Sequence, residues 1–232
     1  MLGDEVFVPM NQKNLYLQSE GDAWFMRNLL ALEAKNAAHD IDFLLSYLAP
    51  LKGKNTKKKF RFLEIGCGSG HKTKYLAENL MCGGWGVDPS AQAIKYATST
   101  FGNNSDTSYE LNFSVGTADD LNFADNFFDI LYFGFCLYVV DRSLLSKTFA
   151  EANRVLRKGG FLAILDFDVR EPFEKISKHH KDIKTFKDKY DEYFLKNGYE
   201  LVAKLSLTEV GSVGFETDPD KRVALSLLYK PH

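Results

Sequence analysis

Phe62-Leu63-Glu64-Ile65-Gly66-Cys67-Gly68-Ser69-Gly70 is the stretch on which the fold turns. A short apolar run ends in three glycines at alternate positions. Glycine opens backbone conformations closed to other residues and lets a ligand approach the main chain. A helical pattern from His71 to Leu80 follows at once, so the order is strand, glycine loop, helix. The free amides at a helix start are ready donors. After Gly66 and Gly68 the third glycine comes one place too early for the G-x-G-x-x-G dinucleotide pattern. Glu64, at the strand end, would repel a pyrophosphate and favour a cation or a bound water.

Downstream the alternation repeats. Gly84 to Val87 is a second strand, closed by Asp88-Pro89. Ser90 caps a helix with Ile94, Ala97 and Phe101 on one face. Leu111 to Val115 is a third strand. Phe127 to Phe135 is a fourth, almost continuously apolar, as a strand buried on both faces should be. Asp141 or Ser143 caps a helix carrying Leu144, Leu145, Phe149, Ala152, Val155 and Leu156, which Lys158-Gly159-Gly160 ends. Phe161 to Leu165 is a fifth strand. Tyr199 to Leu207 and Val223 to Tyr229 flank a turn at Asp218-Pro219-Asp220, with no crossover helix between them. They read as an antiparallel hairpin at one edge. The expected fold is α/β: a Rossmann-like, doubly wound, seven-stranded sheet, mostly parallel, with N-terminal helices added. Ligands of such sheets bind beyond the carboxyl ends of the strands.

Before the first strand, Ala37, Ile41, Leu44, Leu45 and Leu48 form one face of a helix stopped by Pro50, with His39 off that stripe. The Lys-rich run Lys52 to Lys59 follows as a solvated loop. Residues 1–59 are therefore expected to be a helical cap with its loop, and residues 60–232 the ligand-binding domain. Within the latter, residues 171–198 are polar and Lys-rich. Ile176, Ile183, Phe186, Tyr190 and Phe194 recur there at roughly helical spacing, which predicts a helical segment over the sheet's carboxyl end. Its lysines suit an anionic acceptor such as a nucleotide-linked sugar, although Asp182, Asp188, Asp191 and Glu192 dilute their charge.

The chain has 232 residues, 45% hydrophobic and 26% charged, with a net charge of −2. That is an ordinary globular balance, without the charge excess of a dedicated nucleic-acid binder. Cys67, Cys82 and Cys136 are an odd set with no close pair. They argue against a disulfide framework or a metal site and fit a reducing cytoplasm. No run reaches ~18 apolar residues, so no membrane span is expected. Met1 to Asn11 lacks the cationic and apolar regions of a secretory signal.

Glu64 to Gly70, Gly86-Val87-Asp88-Pro89-Ser90, Gly116-Thr117-Ala118-Asp119-Asp120-Leu121-Asn122-Phe123, Phe128-Asp129-Ile130-Leu131 and Arg154-Val155-Leu156-Arg157-Lys158-Gly159-Gly160 together resemble the successive motifs of class I S-adenosylmethionine-dependent methyltransferases. More narrowly they resemble the small-molecule type 11 domain, over about residues 60–168. The resemblance implies roles. Glu64, Gly66, Gly68 and Gly70 would surround the methionine part of the cofactor. Asp88 would hold the ribose hydroxyls, with Pro89 against the adenine. Thr117 and Ala118, with Asp119 adjacent, take the adenine-recognition positions. Phe133 and Gly134 would lie under the sulfonium. Three residues depart from the pattern: Thr117 stands where Asp or Asn is common, Asn122 replaces a frequent Pro, and Tyr138 stands where many relatives have His.

Trp24, Phe25, Arg27 and Asn28, with His179-His180-Lys181 and Tyr190, resemble methyltransferases of bacterial surface-polysaccharide biosynthesis. Arg27 is a candidate partner for the cofactor's carboxylate through its planar fork. Trp24 and Phe25 either close over the sulfonium by cation–π contact or pack the N-terminal helix onto the sheet. Tyr138, Asp168 and His180 are the catalytic candidates, with Asp166 and His179 also considered. Trp24, Phe25, Tyr138, His179 and Tyr190 are the acceptor-contact candidates. A small-molecule methyltransferase is the leading expectation. A cofactor-binding module without catalysis, and a protein or RNA methyltransferase, are the alternatives.

Overall fold

The computed structural model describes residues 11–34, 39–49, 60–102, 109–208 and 212–232. Ala37, Pro50, the Lys52–Lys59 run and the boundary at residue 59 lie outside these residues, as does the side chain of His39.

The N-terminal part is helical: α1 (Gln12–Leu15), a π-helical turn (Tyr16–Glu20), α2 (Gly21–Ala34) and α3 (His39–Leu48). Then come β1 (Arg61–Ile65), α4 (His71–Leu80), β2 (Gly83–Asp88), α5 (Ala91–Phe101), β3 (Leu111–Val115) and β4 (Phe128–Gly134). Two short 3-10 turns, Leu137–Val139 and Arg142–Leu144, lead into α6 (Leu145–Val155) and the long strand β5 (Leu156–Phe167). β6 (Phe173–Ile176), β7 (Lys184–Lys187), α7 (Tyr190–Leu195), β8 (Glu200–Leu207) and β9 (Val223–Tyr229) complete the chain.

Seven strands form one sheet in the order β3-β2-β1-β4-β5-β9-β8. The first five are mutually parallel, and β9 runs antiparallel to both β5 and β8. The C-terminal hairpin is therefore at the expected edge. Alternating residues explain the two-sided core. Phe62, Ile130, Tyr132 and Leu225 face α3 and α4. Leu63, Ile65, Leu131, Phe133 and Leu228 face α6 and α7. Burial on both faces makes β4 read as one apolar run, broken only by Asp129, whose carboxylate pairs with Arg157 and accepts the Arg61 N–H at 2.9 Å.

Two local readings differ. α6 ends at Val155 rather than at Lys158-Gly159-Gly160. Those residues already belong to β5, where Gly159 takes a φ of 72° at a bend beside Lys230. The larger difference is the segment 171–198. It is a β-ribbon, β6 paired antiparallel with β7, and only Tyr190–Leu195 is helical. Ile183, Phe186, Tyr190 and Phe194 are all buried, so their spacing imitates a helical stripe. The run Ser177–Asp182 supplies no apolar residue to continue that stripe. It turns instead, closed by the Ser177 N–H donating to the Ile183 carbonyl at 2.8 Å. Among the described residues no helix is long and apolar enough to cross a membrane.

Candidate active site

The chain runs from β1 outward to β3, then returns to place β4 on the other side of β1. Beyond the carboxyl ends of β1 and β4, at this reversal, lies a cleft of about 910 Å³, open to solvent at its mouth. Ile65, Gly66 and Gly134 form its floor. Asp88, Pro89 and Gly116 to Asp119 line one end, and Phe135, Tyr138 and Val139 the other. Lys13, Tyr16, Gly21 and Trp24 form its roof.

The glycine loop is fixed by its neighbour strand. The amides of Gly66 and Cys67 donate to the Val87 carbonyl at 2.8 and 3.2 Å. Gly66 has a φ of 76°, and a Cβ there would lie 2.7 Å from that of Cys136. Glycine is required at this position on both counts. The Gly68 N–H donates to Asp88 Oδ2 at 2.9 Å, and the Ser90 N–H to Asp88 Oδ1 at 2.9 Å. Ser90 itself caps α5, accepting from the Ala93 N–H at 3.0 Å. Each Asp88 oxygen thus accepts one amide and keeps a second lone pair for another donor. Burial pushes Asp88 up to about 6, against these two amides. Burial likewise pushes Glu64 up to about 7, against the Thr73 hydroxyl that donates to its Oε2 at 2.5 Å.

The roof is held by polar ties to distant elements. The Gln12 side-chain amide donates to the Val139 and Lys184 carbonyls at 2.6 and 2.9 Å, and its Oε1 accepts the Lys184 N–H at 2.8 Å. Lys13 pairs with Asp119 at 2.8 Å. Asp22 Oδ1 accepts from the Ser90 hydroxyl at 2.6 Å and the Gln92 N–H at 3.0 Å, joining α2 to α5. Although burial raises Asp119, hydrogen bonds from Lys13 and Thr117 hold it below the usual carboxylate range. The phenols of Tyr16 and Tyr138 are both pushed far up by burial. They also interact with each other, and Tyr138 further with Asp166 and the Trp24 indole N–H. Both are hydrogen-bond donors at neutral pH.

The structure gathers Gly66, Asp88, Pro89, Thr117, Ala118, Asp119, Gly134, Trp24 and Tyr138 around the cleft. Glu64, Gly68 and Gly70 stand just behind its floor, as support for the loop, and Phe133 is fully buried in the core. Phe25 is 2% exposed and packs on Tyr96 of α5, the structural alternative allowed for it. Arg27 pairs with buried Glu20, and both act on the neighbouring Tyr16 phenol. Asp168 pairs with Lys204 at 2.8 Å, and Lys204 also holds Asp191 at 2.8 Å. His179 and His180 sit in the β6–β7 turn, with the His180 Nδ1 accepting the Asp182 N–H at 3.2 Å. Tyr190 is buried beneath that ribbon, donating to the Phe186 carbonyl at 2.6 Å and accepting from Arg142. None of these last five side chains lines the cleft. Asp166 lies below it, bonded to backbone amides. Gln12, Lys13 and Tyr16 were not singled out in the sequence; the aromatic next to a polar pair before Trp24 is the sole local signal there.

Residues 63–164 match the family described as a methyltransferase domain. The match covers less than half of the chain. The fold is shared with solved S-adenosylmethionine-dependent methyltransferases. A methyltransferase of that kind from Methanosarcina mazei superimposes with a TM-score of 0.58 at 21% identity, covering 78% of this chain and 97% of that one. Geranyl diphosphate methyltransferase in complex with SAM gives a TM-score of 0.63 at 18% identity, covering 92% and 93%. Among curated proteins, phosphoethanolamine N-methyltransferase 1 of Arabidopsis thaliana is 29% identical over 149 residues, 63% of this chain. Sterol 24-C-methyltransferase of Neurospora crassa is 26% identical over 172 residues, 73% of this chain. The chain spans 26% and 42% of the lengths of these two relatives.

The cleft offers a bed that fits S-adenosylmethionine. The left-handed glycine loop leaves the floor open beside Gly66, and Asp88 retains one lone pair on each oxygen for two adjacent hydroxyls. The Glu64 carboxyl behind the floor, and Asp88 at one end of the cleft, suit a positively charged sulfur. No group of three or more His, Cys, Asp or Glu able to hold a metal occurs among the described residues.

Proposed function

We propose that this chain transfers the methyl group of S-adenosylmethionine to a small-molecule acceptor held between Tyr138 and the N-terminal roof. The observation that carries this is the continuity of the cleft. The Gly66–Asp88 end and the aromatic end of Tyr16, Trp24, Phe135 and Tyr138 are walls of one space, meeting at Gly134.

When bound, the cofactor supplies a methyl carbon already activated by its sulfonium. The chain's task is then alignment and exclusion of water. Asp88 accepts from the ribose hydroxyls. Thr117, Ala118 and Asp119 border the adenine, with Asp119 steadied by Lys13. Trp24, Phe135 and Tyr138 confine the acceptor, and the Tyr16 and Tyr138 hydroxyls donate to it. Their raised phenols make them orienting donors rather than bases. Asp168 and His180 are placed away from the cleft, so the methyl passes to the acceptor, the demethylated thioether leaves, and the proton released by a hydroxyl or amine acceptor passes to water at the open mouth of the cleft.

A sugar or nucleotide-linked sugar heads the acceptor screen. The ribbon tied to the cleft by Gln12 carries exposed Lys175, Lys178 and Lys181, which suit an anionic leaving side of such a molecule. Phosphorylated amino alcohols and prenyl diphosphates follow, because the relatives named above act on such groups. Cys67, Cys82 and Cys136, none of them in a disulfide, suit the cytoplasm. Isothermal titration with S-adenosylmethionine and its demethylated product, followed by turnover assays across these acceptors, tests the reading. Binding with turnover supports it. Binding without turnover on any small molecule, protein or RNA would leave a cofactor-holding module instead.

A further inference from the structure

We propose that Asp166 is the positioning residue of the acceptor end: its carboxylate, sealed beneath the cleft, clamps the Leu137–Tyr138 turn and thereby sets where the Tyr138 phenol points. The proposal deepens the methyl-transfer reading of the cleft and rests on it.

Asp166, the last residue but one of β5, is 1% exposed. Its Oδ2 accepts the amides of Leu137 and Tyr138 at 2.9 and 3.3 Å, and its Oδ1 accepts that of Phe167 at 2.8 Å. Three amides converge on one buried carboxylate that does not line the cleft, so its contacts are with the loop rather than with the acceptor. A second observation explains why a clamp is needed. Phe135, two residues before Leu137, has a φ of 63°. A bulky side chain in the left-handed region is an outlier that persists only where its surroundings over-determine it. The Phe135 N–H is fixed to the Leu165 carbonyl at 2.9 Å. Its ring stands 5.1 Å from those of Tyr138 and Phe167. β5 thus grips the strained loop twice, through the Leu165 carbonyl and through the Asp166 carboxylate.

The groups facing Asp166 come from three elements: Cys136 and Tyr138 of the loop, Arg142 of the second 3-10 turn and Tyr190 of α7. Burial holds the Cys136 thiol and both phenols protonated, which leaves Arg142 as the charged neighbour. Burial pushes the Asp166 carboxyl up to about 7, against its three amides and Arg142. Bonds to the ionised form are the stronger ones. The clamp therefore tightens as the pH rises through neutrality and slackens below it.

The test uses the full chain carrying Trp85→Phe, so that Trp24, which contacts the Tyr138 phenol, is the only tryptophan left. Amide proton shifts of Leu137 and Tyr138, and Trp24 emission, are followed across neutrality in this parent and with Asp166→Asn added. The expected result is one transition near pH 7 in all three signals of the parent, flat responses in Asp166→Asn, and an unchanged affinity for S-adenosylhomocysteine. With Phe135→Gly added, the strain is gone, and Asp166→Asn alters Trp24 emission less. Amides that do not titrate, or a Trp24 transition that survives Asp166→Asn, would overturn the proposal. Failure of the parent to bind S-adenosylhomocysteine would instead remove the methyl-transfer reading, while the titration signals would still report on the clamp.

Discussion

Lys13 of α1 and Asp119, beyond the end of β3, meet at 2.8 Å across the mouth of the cleft, and Lys147 of α6 approaches the same oxygen at 3.4 Å. Lys13→Ala removes one tie of the roof while Asp119 keeps Lys147. Stability is expected to change by no more than ~1 kcal/mol, the scale of a partly exposed ion pair. Dissociation of S-adenosylhomocysteine is expected to accelerate, because the roof opens with one restraint fewer. Stopped-flow displacement measures this; an unchanged off-rate would mean that the remaining ties set the opening.

Asp88 links cofactor affinity to pH. Its raised value, about 6, means that the carboxylate ionises only above that pH. Hydroxyl donors bind the ionised form better. Affinity for S-adenosylmethionine is expected to rise as the pH climbs through about 6 and then to level off. Asp88→Asn should lose that dependence and weaken binding by ~1–3 kcal/mol. Titration calorimetry at several pH values reads both effects.

Gly70 opens α4 with a φ of 77°, and a Cβ there would lie 2.8 Å from the Phe113 ring and 2.9 Å from Ala97. Gly70→Ala combines a left-handed penalty with overpacking, together about 2–5 kcal/mol. Urea unfolding monitored by circular dichroism checks this. A variant as stable as the parent would show that Phe113 moves aside freely.

Glu64 has a folded-state value of about 7, above its ordinary 4.5. A carboxyl raised in the folded state favours folding while protonated. Its contribution is complete below the unfolded value and is lost as the pH rises through about 7. Glu64→Gln should therefore flatten a fall in stability across that window, worth on the order of 3 kcal/mol. Asp40, Asp119 and Glu151 act in the opposite sense, since their folded values are lowered. Thermal melts of the two proteins from acid to neutral pH separate these contributions.

The sheet was legible because its signals are local. A strand buried on both faces is mostly apolar, and the left-handed turns between Ile65 and His71 call for glycines. The cofactor end was legible for the same reason, each element of it being a strand end and its next few residues. The roof was not. Gln12 bonds to Val139 and Lys184, 127 and 172 residues away, and a lone glutamine carries no trace of such partners. The ribbon β6–β7 was misread because Ile183, Phe186, Tyr190 and Phe194 fall at intervals of three and four while belonging to a strand and a separate helix. Asp168 and His180 were reasonable chemistry at strand ends and loops, but ion pairing with Lys204 and a turn position turn them outward.

Gln12 does more than fasten α1. Its side-chain amide offers Lys184 both a donor and an acceptor, as the peptide group of a neighbouring strand would. The ribbon and the roof are thereby joined, and the same side chain holds Val139 of the cleft wall. Lifting α1 would break all three bonds at once, so the acceptor end and the cofactor end would be uncovered in one step.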